Sequence, residues 1–189
     1  MGGSIMSIVL QSSSGGSVTI NEPTTASDFT ATLPASTGQI MVSGNMPAFC
    51  AYKSGSQTFS ASTWTKVTLD LELFDTNSNF ASSRFTPTVA GYYQINAGVA
   101  LSNTTAYPTS GVSAIWKNGN LYARGLVNFG GGTGAFNDVL INVSAVIYMN
   151  GSTDYLELYA YEVAGGTPNI IGNSDTYHTL FSGALIRGA

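Results

Sequence analysis

Three side chains near the end of the chain are of the types that hydrolases combine into a nucleophile, a base and an acid. They are Asp175, Ser182 and the only histidine, His178. If the strand that we predict over 179–187 is extended, Asp175 and Ser182 lie up to about 23 Å apart, because a strand rises about 3.3 Å per residue. That strand already accounts for Ser182. We therefore predict no catalytic residue, and we expect that the protein is not an enzyme.

The densest group of acidic residues could bind a cation. It consists of Asp70, Glu72 and Asp75. Calcium needs about six to eight oxygen ligands, and the side chains of Asp70 and Glu72 would share one face of a strand. The alternative, which we favour, is a solvated strand face. We therefore expect no cofactor, and calcium at these three residues stays open.

Aromatic side chains in predicted loops and turns could bind carbohydrate, because Tyr and Trp rings stack on the C–H faces of sugars. Four residues are candidates by position: Tyr107, Trp116, Tyr122 and Tyr177. The competing explanation is that each ring packs in the core or in an interface between subunits.

The chain has few charges: 8% of its 189 residues are charged, where about 25% is usual. Six Lys and Arg stand against ten Asp and Glu, with no basic cluster, which argues against binding of nucleic acid through its phosphates. No segment approaches the roughly 18–20 apolar residues of a membrane-spanning helix, so we expect no membrane insertion. So few charges protect a single protomer poorly from association, which favours an obligate oligomer.

The hydrophobic pattern predicts strands almost throughout and no helices. Residues 67–74 alternate, so that one face carries Val67, Leu69, Leu71 and Leu73. Further strands are predicted over 91–101, 112–116, 121–126, 139–148, 155–163 and 179–187. Asn118-Gly119 and Asn150-Gly151 each predict a hairpin between consecutive strands, because both residue types tolerate positive φ. This spacing is typical of an all-β sandwich.

The composition changes near residue 45. Residues 5–44 contain one aromatic, Phe29, and their short predicted strands cover 5–10, 17–21, 29–33 and 39–42. A segment of this length cannot bury a core of its own. We therefore predict an N-terminal β arm over 1–45, which pairs with sister chains or attaches to something larger, and a second domain over 46–189.

Motifs in residues 47–188 resemble the C1q-like globular domain, one of the tumour-necrosis-factor-like (TNF-like) jelly rolls. The segment PAFCAY at 47–52 is similar to the opening strand of that family, and RFTPTVAGYYQI at 84–95 is similar to its signature, with Ile95 in place of Phe. WKNG at 116–119 and FSGALI at 181–186 resemble its hairpin and its closing strand. The resemblance implies a ten-stranded C1q/TNF-like jelly-roll sandwich that forms a homotrimer. Within the signature, Gly91 predicts a positive φ or a close backbone approach where a corner enters a long strand.

The predicted strand over 155–163 has an aromatic face and an aliphatic face. Leu156, Leu158 and Ala160 suit the sandwich interior, so the side chains of Tyr155, Tyr159 and Tyr161 would point outward. Aromatic side chains are enriched at interfaces between subunits. Together with the threefold packing that the resemblance implies, this predicts that these three tyrosines line the trimer interface.

A second, looser resemblance concerns the arm. SIVLQSSSGGSVTI at 7–20 and TLPASTGQI at 32–40 resemble segments of bacteriophage fibre and virion structural proteins, where they precede a trimeric knob. The resemblance implies a virion protein, made in the host cytoplasm, whose residues 1–45 attach to a capsid or tail protein. The short arm favours a capsid decoration or short head-fibre protein.

Two alternatives for the function stay open. One is a tail-fibre or receptor-binding tip that recognises carbohydrate on the host surface. The other is a non-viral C1q-like module that binds carbohydrate or protein ligands.

Overall fold

The computed structural model describes residues 7–21, 30, 35, 40–130 and 132–189. The chain divides into two compact units, Met1–Gly38 and Gln39–Ala189. The boundary that the composition predicts, after residue 45, lies slightly later in the chain.

In the first unit, β1 (Ser7–Gln11) and β2 (Ser17–Asn21) pair as an antiparallel hairpin. Its cross-strand pairs place four apolar side chains on one face, each more than half exposed: Ile8, Leu10, Val18 and Ile20. The predicted strand over 29–33 lies outside the described residues except for residue 30, and residues 40–42 are not in a strand.

The second unit is a sandwich of two antiparallel sheets, preceded by one 3-10 turn over Ser43–Asn45. Its strands are β3 (Ala48–Tyr52), β4 (Gln57–Thr58), β5 (Thr65–Lys66), β6 (Leu71–Asp75), β7 (Phe80–Ala81), β8 (Arg84–Phe85), β9 (Gly91–Asn103), β10 (Ser110–Lys117), β11 (Asn120–Asn128), β12 (Phe136–Met149), β13 (Leu156–Val163), β14 (Pro168–Ile170) and β15 (Leu180–Gly188). No helix in the described ranges is long and apolar enough to cross a membrane.

The two sheets are named here after their central strands. In the β9 sheet, β9 pairs with β12 on one edge and with β14 and β15 on the other, and β3 and β6 continue beyond β15. In the β13 sheet the order is β11-β10-β13-β8-β7, and β5 also pairs with β13. Within the described residues the two sheets hold seven and six strands, thirteen in all, where the expected number is ten. The number is higher because it includes five short strands of only two or three residues.

The core lies between the two sheets and follows the period of two that strands impose. On β9, the inward residues Tyr93, Ile95 and Val99 are fully buried, and on β13 so are Leu156 and Leu158. At one end the ring of Phe49 stacks on Phe85 at 4.2 Å and on Phe80 at 5.2 Å, and Phe181 meets it edge-on at 5.1 Å. Four aromatic residues of the motifs, Phe49, Phe85, Tyr93 and Phe181, are thus core residues. The close approach predicted at Gly91 is confirmed, since a Cβ there would collide with the backbone oxygen of Arg187.

The predicted single strand over 67–74 is wrong. The pairing stops at β5 and starts again at β6, so Val67 and Leu69 are buried while Leu71 and Leu73 are 43% and 48% exposed. Side chains hold the segment between the two strands: the backbone N–H of Leu69 donates to the hydroxyl of Ser83 at 2.9 Å. At Thr68 and Leu69, hydrogen bonds to side chains therefore replace a strand ladder, and residues 71–74 of β6 are all exposed.

The two Asn-Gly turns have different outcomes. Asn118 and Gly119 have φ of 52° and 77° and join β10 to β11 as the predicted hairpin. Asn150-Gly151 is a turn, but β12 and β13 belong to different sheets, so the hairpin predicted there is wrong. The side-chain oxygen of Asn150 accepts the N–H groups of the next residues, which shapes a crossing from one sheet to the other.

Candidate functional site

A polar cavity of about 470 Å³ opens beside the short β7–β8 hairpin of the β13 sheet. The cations Lys66 and Arg84 line it, together with the amide of Asn79 and the methyl group of Ala81. Hydroxyl groups provide the rest of the lining: Ser78, Ser82, Thr86 and Thr88. Its volume lies within the range of about 300–1,000 Å³ that is usual for small-molecule sites.

A buried carboxylate holds both cations of the cavity in place. Glu157 of β13 is 4% exposed, and its Oε1 accepts from Lys66 Nζ at 2.8 Å and from Arg84 Nη2 at 2.8 Å. Arg84 Nε adds a second hydrogen bond to the same oxygen at 2.9 Å. Burial alone would raise the pKa of Glu157, but the hydrogen bonds and the charges of Lys66 and Arg84 outweigh it, so the pKa is lowered. Two positive charges thus meet one negative charge.

The turn of the β7–β8 hairpin has an unusual conformation for its sequence. Ser82 and Ser83 occupy a two-residue turn with φ of 51° and 57°, a geometry that Asn-Gly adopts at lower cost. The hydroxyl of Ser83 bonds to the backbone N–H and oxygen of Leu69, and the carbonyl of Ser82 accepts from Lys66 Nζ at 2.9 Å. The rim of the cavity is therefore held by hydrogen bonds to two other segments, at Lys66 and Leu69.

Aromatic rings cover the outward face of the β13 sheet next to the cavity. The Arg84 guanidinium lies 3.9 Å from the ring centre of Tyr155. Tyr159 stacks on Trp116 at 4.3 Å, and Tyr161 lies 5.0 Å from Trp64. These rings are half-buried against one another within one protomer.

The outward face of the β9 sheet is more open. Tyr92 and Tyr148 are cross-strand partners with ring centres 5.4 Å apart, and each is 42% exposed. Val146 and Ile186 are 50% and 55% exposed beside them. Below lies a polar row in which Gln94 Nε2 donates to the hydroxyl of Ser144 at 2.8 Å, and that hydroxyl donates to Asn96 at 3.0 Å. The outward residues of β12 between 140 and 148 carry no charge.

Similarity to known proteins is found in structure and not in sequence. No family model and no curated protein matches the sequence. Among solved structures, Eiger TNF from S. frugiperda is similar, with a TM-score of 0.58 at 7% identity over 76% of this chain and 93% of that one. Two structures of murine APRIL, at pH 8.0 and pH 5.0, have TM-scores of 0.54 and 0.53 at 9% and 8% identity, over 75% of this chain and 99% of theirs.

The fold is a TNF-like jelly roll. This confirms the TNF-like jelly roll that the motifs predict. At these identities the likeness concerns the fold alone, and function rests on the surfaces of this chain.

The jelly roll places the four aromatic ligand candidates in different settings. Trp116 is part of the aromatic cover of the β13 sheet. Tyr107 packs on Phe136 at 5.5 Å, which matches the packing alternative. Tyr122 and Tyr177 are 50% and 37% exposed. The structure does not bring the four together.

The acidic candidates are not brought together either. Asp70 accepts from the backbone N–H of Ser54 at 2.8 Å, and Asp75 Oδ2 accepts from the backbone N–H of Phe80 at 2.7 Å. Glu72 is exposed on β6. In the part of the chain that the structure describes, no group of three His, Cys, Asp or Glu residues could hold a metal ion.

His178 lies near the carboxylate of Asp138, whereas a catalytic triad would need that of Asp175. Its Nδ1 is 3.6 Å from Asp138 Oδ2, and Asp175 accepts no hydrogen bond from it in the described ranges. Asp175, His178 and Ser182 therefore form no hydrogen-bonded chain.

The sequence did not point to Lys66, Arg84 and Glu157 as a group. One signal was present: Glu157 interrupts a strand of tyrosine and leucine, and a charge in such a strand needs a partner. Only six Lys and Arg exist to supply it. Which of them do so follows from the order of strands in the β13 sheet.

Proposed function

We propose that the protein is a homotrimeric C1q/TNF-like recognition module, which assembles through the outward face of the β9 sheet. The observation that carries the proposal is the exposed apolar cluster of Tyr92, Tyr148, Val146 and Ile186. Two cations lie beside it: Lys117, whose Nζ is 5.8 Å from the ring centre of Tyr148, and Arg187, the register partner of Tyr92. A cluster of exposed tyrosine and aliphatic side chains is typical of an interface and atypical of a solvated face. The polar row of Gln94, Ser144 and Asn96 would add hydrogen bonds between copies that fix their register.

The assembly is tested by light scattering on the full chain, with two matched variants. The expected mass is three times that of a protomer. Tyr148→Glu should give a monomer, because it places a charge in the apolar patch. Tyr122→Glu, at an exposed tyrosine of the other sheet, should stay trimeric.

Three results would count against this account. They are a monomeric parent protein, a trimeric Tyr148→Glu variant, and dissociation by both variants alike. The earlier prediction, that Tyr155, Tyr159 and Tyr161 line the trimer interface, stays a prediction. It gains support if a charge at Tyr161 dissociates the trimer and a charge at Tyr148 does not.

The arm favours a second candidate, a virion structural protein. The hairpin of the first unit exposes Ile8, Leu10, Val18 and Ile20 on one face, and an isolated hairpin of two strands is marginally stable in water. Such a hairpin gains order by attaching to a larger body. Under this candidate, residues 1–45 attach the jelly roll to a capsid or tail, as a decoration, a head fibre or a tail-fibre tip.

Co-sedimentation with purified particles tests this candidate. The full chain should sediment with the particles, and Ile8→Asp combined with Val18→Asp should abolish this while the trimer remains. Absence of the protein from particles of the virus that encodes it would exclude the candidate.

A further inference from the structure

We propose that the cavity beside the β7–β8 hairpin binds an acidic sugar unit, a sugar ring that carries one carboxylate. This assigns a ligand class to the recognition role proposed above and rests on that role. It does not rest on the trimer, because the cavity lies in the β13 sheet and the proposed assembly surface in the β9 sheet.

Charge is the first reason. Lys66 and Arg84 share the single carboxylate of Glu157, which leaves one positive charge at the cavity. Asp75, on the strand before Phe80, does not line the cavity, and its Oδ2 is bonded to the Phe80 N–H. An anion entering here meets an unbalanced cation.

Unused donors are the second reason. A lysine has three N–H donors, and Lys66 uses two, on Glu157 and on the carbonyl of Ser82. An arginine has five, and Arg84 uses two on Glu157. The described residues supply no further acceptor to either side chain. Three guanidinium donors and one ammonium donor are therefore free to bind a carboxylate. The planar guanidinium of Arg suits a carboxylate especially well, because it can donate two parallel hydrogen bonds to the two oxygens.

The rest of the lining indicates a sugar as the carrier of the anion. The hydroxyls of Ser78, Ser82 and Thr86 make no hydrogen bond among the described side chains, and Ala81 is the only apolar residue in the lining. The lining thus combines hydroxyl and amide groups with the short alkyl parts of its side chains, as the hydroxyls and C–H faces of a sugar ring require. A ring of hydroxyls can exchange hydrogen bonds with these side chains.

The site is held before any ligand arrives. The ring of Tyr155 supports the guanidinium of Arg84 from one side, and Glu157 fixes it from another. The Ser82 and Ser83 turn keeps positive φ at two residues, a strain that other segments must maintain. Fixing these groups in advance reduces the entropy lost on binding.

A longer glycan has a path away from the cavity. Lys66 is the register partner of Tyr159, and the stacked rings of Tyr159 and Trp116 follow on the same outward face. Aromatic rings accept the C–H faces of sugars, so units beyond the acidic one would lie on this stack.

The test is isothermal titration calorimetry on the full chain. Methyl β-glucuronide, methyl β-glucoside and acetate are titrated separately. The glucuronide should bind about tenfold more tightly than either of the others, as one charge-assisted interaction provides. Equal binding of the two sugars would refute the anionic part of the proposal. Acetate binding as tightly as the glucuronide would refute the sugar part.

Two variants locate the site. Arg84→Met should weaken glucuronide binding by about tenfold or more, since it removes the unbalanced charge. The control is Lys117→Met, at a lysine that pairs with Asp154 at 2.9 Å elsewhere on the jelly roll, and it should bind like the parent protein. Equal loss in both variants would indicate a general effect of net charge and refute the site.

A third variant protects the test against misfolding. Thr86 lines the cavity, and its backbone N–H bonds to the oxygen of Asn79, so Thr86→Phe fills the space and leaves the Glu157 cluster intact. It should abolish binding with an unchanged melting temperature and an unchanged mass. Full binding in this variant would overturn the proposal, and a loss of the trimer mass would count instead against the assembly.

Discussion

Strand β13 carries one glutamate on each of its two faces, and their surroundings shift the two pKa values in opposite directions. Outward, Glu157 meets Lys66 and Arg84, and its pKa is lowered. Inward, Glu162 is fully buried, and burial raises its pKa against a single opposing hydrogen bond from the amide of Asn103 at 3.0 Å. Its second oxygen, Oε2, has no partner among the described residues. Exposure differs little between the two glutamates, so the partners decide the charge state.

The rest of the strand shows the same division. The inward leucines pack in the core and exclude water, whereas the outward tyrosines stack on rings from other strands and stay partly wet. Both faces are well packed, and they are stabilised by different interactions. Substitutions on the two faces measure that difference.

The largest effect should come from the inward face. Leu158→Ala removes a fully buried side chain, and we expect the free energy of unfolding to fall by about 3 kcal/mol. Tyr161→Ala on the outward face should cost about 1 kcal/mol, because that ring is only half-buried beside Trp64. Urea denaturation at one fixed protein concentration measures both. Equal losses would contradict the division between the faces.

A smaller effect should follow from removing the charge of Glu157. Glu157→Gln should lower the free energy of unfolding by about 2 kcal/mol at pH 7, since three charge-assisted hydrogen bonds are weakened. Because the folded pKa is lowered, this stabilisation is present above the ordinary glutamate value and is lost as the pH falls through the folded pKa. In thermal melts from pH 7 to pH 3, the melting temperature of the variant should fall less than that of the parent protein. If the melting temperatures of the two proteins fall in parallel with pH, the lowered pKa of Glu157 is refuted as the source of this stabilisation.

The smallest effect, with the opposite sign, is expected at Glu162. The folded state keeps a proton that the unfolded state releases at the ordinary glutamate pKa, so stability falls as the pH rises above that value. Glu162→Gln, which is neutral at every pH, should therefore stabilise the protein by about 1 kcal/mol at pH 7 and have no benefit near pH 4. Melting curves at the two pH values check this. A loss of stability at pH 7 would show that the carboxylate is needed in its charged form.

The fold could be predicted from the sequence because the large apolar residues of its motifs are core residues. Tyr93 and Ile95 alternate with exposed residues along β9, and Phe49, Phe85 and Phe181 meet in one cluster. The residue types at such core positions are determined by burial alone, so the sequence pattern reveals them. The error over 67–74 arose where side-chain hydrogen bonds, which leave no periodic pattern, interrupt the strand.

The cavity could not be predicted in the same way. Lys66, Arg84 and Glu157 lie far apart in the chain and meet because β5 and β8 both pair with β13. Strand order is a property of the whole fold and is not encoded near any of the three residues. The outward direction of Tyr159 and Tyr161 followed from alternation, whereas their ring partners, Trp116 and Trp64, come from other segments.

The position of β15 affects how the protein is made in the cell. This strand, Leu180–Gly188, is synthesised after all the others described, yet it lies between β9 and β3, which leave the ribosome much earlier. Until it arrives, the facing edges of β9 and β3 have no partner, and unpaired edges invite association with other chains. The jelly roll is therefore complete only after residues 180–188 have left the ribosome and paired with β9 and β3. A premature stop before residue 180 would yield an aggregating product rather than a shorter, working protein.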